Sequence, residues 1–182
     1  MTGSKERIII LDRDGVINED SDDYIKSPEE WHPIPGSLEA IELLGQRGYR
    51  IFVLTNQSGI ARGYFSETVL SEIHQKMRSL VESRGGSIEA ILHCPHGPED
   101  FCSCRKPKPG LFESLREKYQ IDFEGVPAIG DSFRDLEAAR AVGASPMLVE
   151  TGKGLRTLKH HPEINVPVFS NLYEAVQFIL HE

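Results

Sequence analysis

Residues 7–18, RIIILDRDGVIN, decide the fold. Arg7 to Leu11 is a short apolar run rich in β-branched residues, the pattern of a strand buried on both faces. It stops abruptly at Asp12-Arg13-Asp14-Gly15. In an extended chain, side chains at i and i+2 face the same way, so Asp12 and Asp14 would sit side by side. Like charges that close repel, and one pKa rises unless a cation neutralises them. Two arrangements answer the problem. One is Mg2+, a hard ion that favours oxygen ligands. The other is a protonated Asp14 acting as a general acid. Taken alone, the tetrapeptide reads as readily as a plain turn, because Asp-Gly is a common turn signal.

The rest of the chain repeats the alternation. Leu38, Ile41 and Leu44 have helical spacing, and Gly48 fits the stop. Arg50 to Leu54 reads as a second strand, ending at Thr55-Asn56-Gln57. Ser66 is placed to cap a helix that carries Val69, Ile73, Met77, Leu80 and Val81 on one face and ends at Gly85-Gly86. A strand is expected over Ile88 to Leu92. Pro109 suits the first turn of a helix reaching Tyr119. A strand over Val126 to Ile129 ends at Gly130-Asp131, and a helix follows from Phe133 to Val142. Pro146 to Val149 and Leu172 to Leu180 close the series as strand and helix. Strand alternating with helix predicts an α/β fold: a three-layer, Rossmann-like, open and mostly parallel sheet with helices on both faces. Several strands end in polar groups: Asp12 and Asp14, Thr55 and Asn56, and Asp131. Ligands of open α/β sheets bind beyond the carboxyl ends of the strands, so these segments should converge on one pocket.

The bulk composition narrows the functions. The 182 residues are 39% hydrophobic and 26% charged, with a formal net charge of −8. One domain over residues 1–182 is expected. A basic footprint for nucleic acid is absent, though a few cations can still dominate the field inside a cleft. Neither a secretory signal nor a membrane span is evident, so the cytoplasm is the simplest expected location, and the absence of an obvious apolar oligomer seam suggests a monomer.

All three cysteines lie in one stretch, CPHGPEDFCSCRKPKPG, residues 94–110. The pattern Cys94-x-His96 followed by Cys102-x-Cys104 makes a Cys3His set, the ligand complement of a closed tetrahedral zinc site. A closed set leaves no open position, so the reading is structural zinc and not a hydrolytic metal. The loop has little to pack except Phe101, and metal bonds would supply the order that packing cannot. Arg105 and Lys106 follow at once. The zinc would stiffen a loop whose far end presents two cations. Arg62 and Lys108, like His160 and His161, read as surface residues.

Asp12-x-Asp14-Gly-Val, Thr55, Lys106 and Gly130-Asp131-x-x-x-Asp135 resemble, in order, the four motifs of the haloacid dehalogenase-like phosphatases. The resemblance covers nearly the whole chain. It implies a Mg2+-dependent phosphatase in which Asp12 is the nucleophile and Asp14 the general acid, then base. The Mg2+ would be held by the Asp12 and Asp131 side chains and the Asp14 carbonyl. Thr55 and Lys106 would hold the phosphoryl oxygens, Arg105 would read the substrate and its second phosphate, and Asp135 would orient Lys106 or a metal-bound water. Arg13, Asp20, Asp23, Asn56, Gln57, Ser58 and Ser132 complete the implied substrate contacts. Some members carry Lys where this chain has Ser132, which bears on the preferred anomer. Within the family the segment Ser58-Gly59-Ile60-Ala61-Arg62-Gly63 is similar to the branch that acts on heptose bisphosphates, small phosphosugars used for bacterial surface polysaccharide. Histidinol phosphate is the alternative substrate, and a zinc-stabilised phosphosugar-binding module the alternative without catalysis. Too few residues separate Asp12 from the helix near Gly36 to build the cap domain that larger members carry.

Overall fold

The computed structural model describes residues 6–181. Six strands, β1 (Ile8–Leu11), β2 (Arg50–Asn56), β3 (Ala90–Cys94), β4 (Pro127–Gly130), β5 (Ser145–Val149) and β6 (Val168–Phe169), form one sheet in the order β3-β2-β1-β4-β5-β6. All five neighbouring pairs are parallel. Six helices connect or follow them: α1 (Ser37–Gln46), α2 (Glu67–Ser83), α3 (Gly110–Tyr119), α4 (Phe133–Ala141), α5 (Gly154–His160) and α6 (Leu172–His181).

Alternation along the strands builds two cores. Ile9 and Leu11 of β1, with Ile51 and Val53 of β2, pack on one face with residues of α1, α2 and α6. Ile8 and Ile10, with Phe52 and Leu54, point the other way towards α3 and α4. The expected three layers follow from that two-residue period. Ser66 caps α2 as expected, its hydroxyl accepting the Val69 N–H at 3.2 Å.

The sequence places three details differently. The strand expected over 88–92 runs over Ala90–Cys94, because β2 continues through Thr55 and Asn56 and pairs them with His93 and Cys94. Helix α5 and strand β6 were not foreseen.

Strand order reverses beside β1: β2 and β3 lie to one side, β4 to β6 to the other. Such a switch opens a crevice at the carboxyl ends of the two central strands. Asp12 leaves β1 there, its N–H bonded to the Ile129 carbonyl of β4 at 2.9 Å. Asp131 follows β4 directly. Between β1 and α1 the chain runs as loop with one 3-10 turn over Pro28–Glu30, and between β2 and β3 it holds α2 alone.

Candidate active site

A cavity of about 270 Å³ opens at this switch point, lined among others by Asp12, Asp14, Thr55, Arg105, Lys106 and Asp131. Lys106 is its anchor. Its Nζ is 3.1 Å from Asp12 Oδ1 and 2.6 Å from Asp135 Oδ1, and it donates to the Leu54 carbonyl at 2.7 Å. Burial disfavours the ammonium, but Asp12 and Asp135 outweigh it and hold the Lys106 pKa above its usual value. The Lys106 backbone is pinned by Asn56, whose Nδ2 donates to the Lys106 carbonyl at 3.1 Å and whose Oδ1 accepts the Lys106 N–H at 3.0 Å.

Asp12, Asp131 and Asp135 bring carboxylate oxygens within 4.8 Å of one another. Among the described residues Lys106 is the one cation that forms ion pairs within this set, with Asp12 and Asp135. Burial first, and then the charge of Asp135, push Asp12 up to about 7. Burial and Asp12 raise Asp131 likewise. Asp135 is held low, because Lys106 and the hydroxyl and N–H of Ser132 offset its burial. Oxygen donors that crowd together without matching cations suit a hard divalent ion. The backbone is shaped for this. Gly15 has φ +82°, and a Cβ there would lie 2.0 Å from Asp131 Oδ2; a Cβ at Gly152 would also overlap that oxygen, at 2.3 Å. The Lys153 N–H donates to the same oxygen at 2.8 Å.

Asp14 has a different environment. Its Oδ1 accepts from Arg13 Nη2 at 2.7 Å and from Asn18 Nδ2 at 2.9 Å, and its Oδ2 from Gln57 Nε2 at 2.8 Å. Burial would raise its pKa, but the Arg13 guanidinium and these donors hold it below the usual carboxylate range. Arg13 is fully buried and also meets His74 Nε2 at 3.2 Å. Gln57 Nε2 donates to the Thr55 hydroxyl at 2.9 Å as well, linking the ends of β1 and β2.

Beyond β3 lies the cysteine loop. Cys94 Sγ is 3.6 Å from Cys102 Sγ, 3.0 Å from Cys104 Sγ and 3.6 Å from His96 Nδ1. His96 Nδ1 is 3.3 Å from Cys104 Sγ. These are free thiols, not disulfides. Zn–S bonds of about 2.3 Å and Zn–N bonds of about 2.0 Å give tetrahedral edges of this order, so the set fits a zinc ion.

Known proteins match the chain over most of its length. A family model described as polynucleotide kinase 3 phosphatase matches residues 7–132, and one described as HAD-hydrolase-like matches residues 103–175. A Pseudomonas aeruginosa protein named D-glycero-beta-D-manno-heptose-1,7-bisphosphate 7-phosphatase is 58% identical, over 95% of this chain and 97% of its own. A Neisseria meningitidis protein of the same name is 48% identical, over 97% and 96%. The D,D-heptose 1,7-bisphosphate phosphatase of B. bronchiseptica, solved with magnesium and phosphate, superposes with a TM-score of 0.93 at 46% identity, over 96% of this chain and 98% of that one. The chain belongs to the heptose-1,7-bisphosphate 7-phosphatase family, within the HAD-like hydrolases.

For a heptose bisphosphatase-family chain, most of the expected contacts gather in one place. Asp20, Asn56, Gln57, Ser58 and Ser132 line the cavity with Asp12, Asp14, Thr55, Arg105 and Lys106. Two expected contacts do not. The Arg13 side chain is buried against Asp14 and His74 and lies outside the lining. Asp23 is exposed and outside the lining, and Asp22 and Tyr24 line the cavity beside it. Arg62, expected as surface charge, is exposed but also lines the cavity. Sequence reasoning missed Lys153, which pairs with Asp20 at 3.2 Å, as well as Tyr24 and Arg134. Lys153 follows the buried Val149 by four residues, so a strand end once more gave the available signal.

Proposed function

We propose that this chain, acting as one phosphatase domain, hydrolyses the 7-phosphate of D-glycero-β-D-manno-heptose 1,7-bisphosphate. The observation that carries the reading is convergence: four segments distant in sequence deliver Asp12, Thr55, Lys106 and Asp131 into one cavity. The β anomer rests on the names of the relatives at 48–58% identity.

An Asp12 oxygen attacks phosphorus, and the bond from phosphorus to the sugar oxygen breaks. Asp14 gives its proton to that oxygen, so the sugar leaves as an alcohol. Asp14 then takes a proton from the water that attacks the aspartyl-phosphate, and inorganic phosphate leaves. Arg13, Asn18 and Gln57 hold the Asp14 carboxyl below the usual range against its burial, and a phosphate dianion beside it would favour the acid form that this step uses. Thr55 and the cation of Lys106 stabilise charge on the phosphoryl oxygens. All three Lys106 protons face protein oxygens, so it meets the phosphate by sharing one of these contacts. Asp12 and Asp131 would hold Mg2+, whose charge shields Asp12 from the incoming phosphate. Cys94, His96, Cys102 and Cys104 would hold structural zinc.

The test is phosphate release with Mg2+ from both heptose 1,7-bisphosphate anomers and from L-histidinol phosphate, beside Asp12→Asn. Fast release from the β anomer, lost in the variant, is expected. Preferred turnover of histidinol phosphate would overturn the substrate, and an active Asp12→Asn protein would overturn the nucleophile.

A further inference from the structure

Among the described residues, five cations line the main cavity: Arg62, Arg105, Lys106, Arg134 and Lys153. Two are matched by carboxylates. Lys106 pairs with Asp12 and Asp135, and Lys153 with Asp20. Arg105 donates only to the neutral His96 carbonyl, at 3.2 Å. Arg134, in the first turn of α4 and half-buried, makes no side-chain hydrogen bond or ion pair among the described residues. It does feel two like charges. Burial and then Arg134 lower the Arg105 pKa, and Arg134 also opposes the charge on Lys153. Of the cations along this wall, Arg105 on the cysteine loop and Arg134 on α4 are thus the two that oppose each other's charge and pair with no carboxylate among the described residues.

A second cavity, of about 380 Å³, adjoins the first and shares Arg105, Lys106 and Arg134 with it. The distribution of charge differs sharply. The main cavity carries six aspartates, whereas the lining of the second holds no carboxylate and adds Lys108. Lys108 is already engaged, donating to the Cys102 carbonyl at 2.7 Å. Arg62 has no part in this second cavity. A site lined by one sign of charge with low-dielectric walls concentrates ions of the other sign. A bisphosphate with one phosphate at Asp12 must place the other end elsewhere along the wall. The carboxylate-rich side repels it, and the Arg105–Arg134 side attracts it.

We infer that Arg134 is a specificity-determining residue: with Arg105 it clamps the phosphate that the reaction leaves on the sugar. A guanidinium is suited to this, because its planar fork can meet two phosphate oxygens at once. The inference rests on the bisphosphate reading of the function.

The experiment compares wild type, Arg134→Ala, Arg134→Lys and Arg105→Ala. Each is assayed with Mg2+ on the heptose 1,7-bisphosphate and on the same heptose carrying the 7-phosphate alone. The alanine change at Arg134 should raise KM for the bisphosphate by about tenfold to a hundredfold, as expected for one charge-assisted contact, and change kcat much less. The kcat/KM ratio of bisphosphate to monophosphate should fall by a similar factor, and Arg134→Lys should restore part of it. An unchanged ratio in Arg134→Ala overturns the inference, most sharply if Arg105→Ala does lower it. Equal loss on both substrates also overturns it, since that marks a structural role. A wild-type enzyme that does not turn over the bisphosphate removes the proposed function, and the inference with it.

Discussion

Magnesium binding should release protons, and its affinity should therefore climb with pH across the neutral range. Asp12 titrates near 7 in the metal-free protein, because burial and the neighbouring Asp135 disfavour its anion, and Asp131 is raised as well. A cation that binds the anion must displace a proton. With Asp12 at about 7, roughly nine-tenths of it is ionised at pH 8, a tenth at pH 6 and a hundredth at pH 5. Apparent affinity should thus drop on the order of a hundredfold from pH 8 to pH 5, or about 2.7 kcal/mol, from Asp12 alone. The Asp131 proton makes the dependence steeper. Stability follows the same linkage. A raised folded pKa gives the metal-free protein a benefit that is complete below the unfolded value of 3.8 and is lost as pH rises through about 7. Stabilisation by Mg2+ should consequently grow over the same interval. Isothermal titration calorimetry with Mg2+ at four pH values, in two buffers of different ionisation enthalpy, reads affinity and proton release together. An affinity flat between pH 6 and pH 8, with no proton released, would refute the reasoning: Asp12 would then be an ordinary carboxylate with a fully solvated charge.

Two further outcomes are expected. The purified protein should contain about one zinc per chain by elemental analysis, and Cys104→Ser should lower both its melting temperature and its kcat/KM at saturating Mg2+, because Arg105 and Lys106 follow the zinc loop directly; equal stability and activity without zinc would exclude a structural role for the metal. His74, pushed down to about 3 by burial and by the charge of Arg13, stays neutral in the fold but not in the unfolded chain. Stability from this site is therefore present above about 6.5 and lost as pH falls towards 3, up to roughly 2 kcal/mol by pH 5. In His74→Gln, which keeps an acceptor for Arg13 without a titrating ring, urea unfolding should lose that pH dependence, and an unaltered slope would rule His74 out as its source.

What could be read from the sequence was whatever carries a local pattern. Ile8 to Leu11 is uniformly apolar and ends in Asp12, so both the strand and the exit of the carboxylate follow from four residues and a turn. The Cys94–Cys104 spacing names its metal chemistry without any fold. Short elements with little to bury left no such trace. Strand β6 is two residues long, and α5 buries only Gly154 and Thr157, so neither shows a period. Arg134 and Tyr24 are single residues whose meaning depends on a third segment, the cysteine loop for one and Tyr64, 5.1 Å from the Tyr24 ring, for the other. Arg13 shows the limit most clearly. Beside two aspartates it reads as a ligand contact, but α2 brings His74 over it and leaves it fully buried.

The same burial explains how two carboxylates two residues apart acquire opposite tendencies. Asp14 meets a guanidinium and two amide donors, and it stays ionised. Asp12 meets one shared ammonium and two other carboxylates, and it tends to keep its proton. The proposed nucleophile must be ionised and the proposed general acid protonated, so the metal-free tendencies of Asp12 and Asp14 run against the proposed roles. Both are corrected from outside the chain, in opposite directions. A divalent cation beside Asp12 and Asp131 favours their anions, and a phosphate dianion beside Asp14 favours its acid form. In the proposed reaction the resting charge pattern would therefore favour chemistry when both ligands are bound. Without the cation Asp12 is only partly ionised near neutral pH, and without the phosphate the carboxyl of Asp14 is held below the usual range. This also accounts for the buried Arg13. Its guanidinium, 2.7 Å from Asp14, keeps that carboxyl below the usual range, and a phosphate dianion beside it would act against this pair.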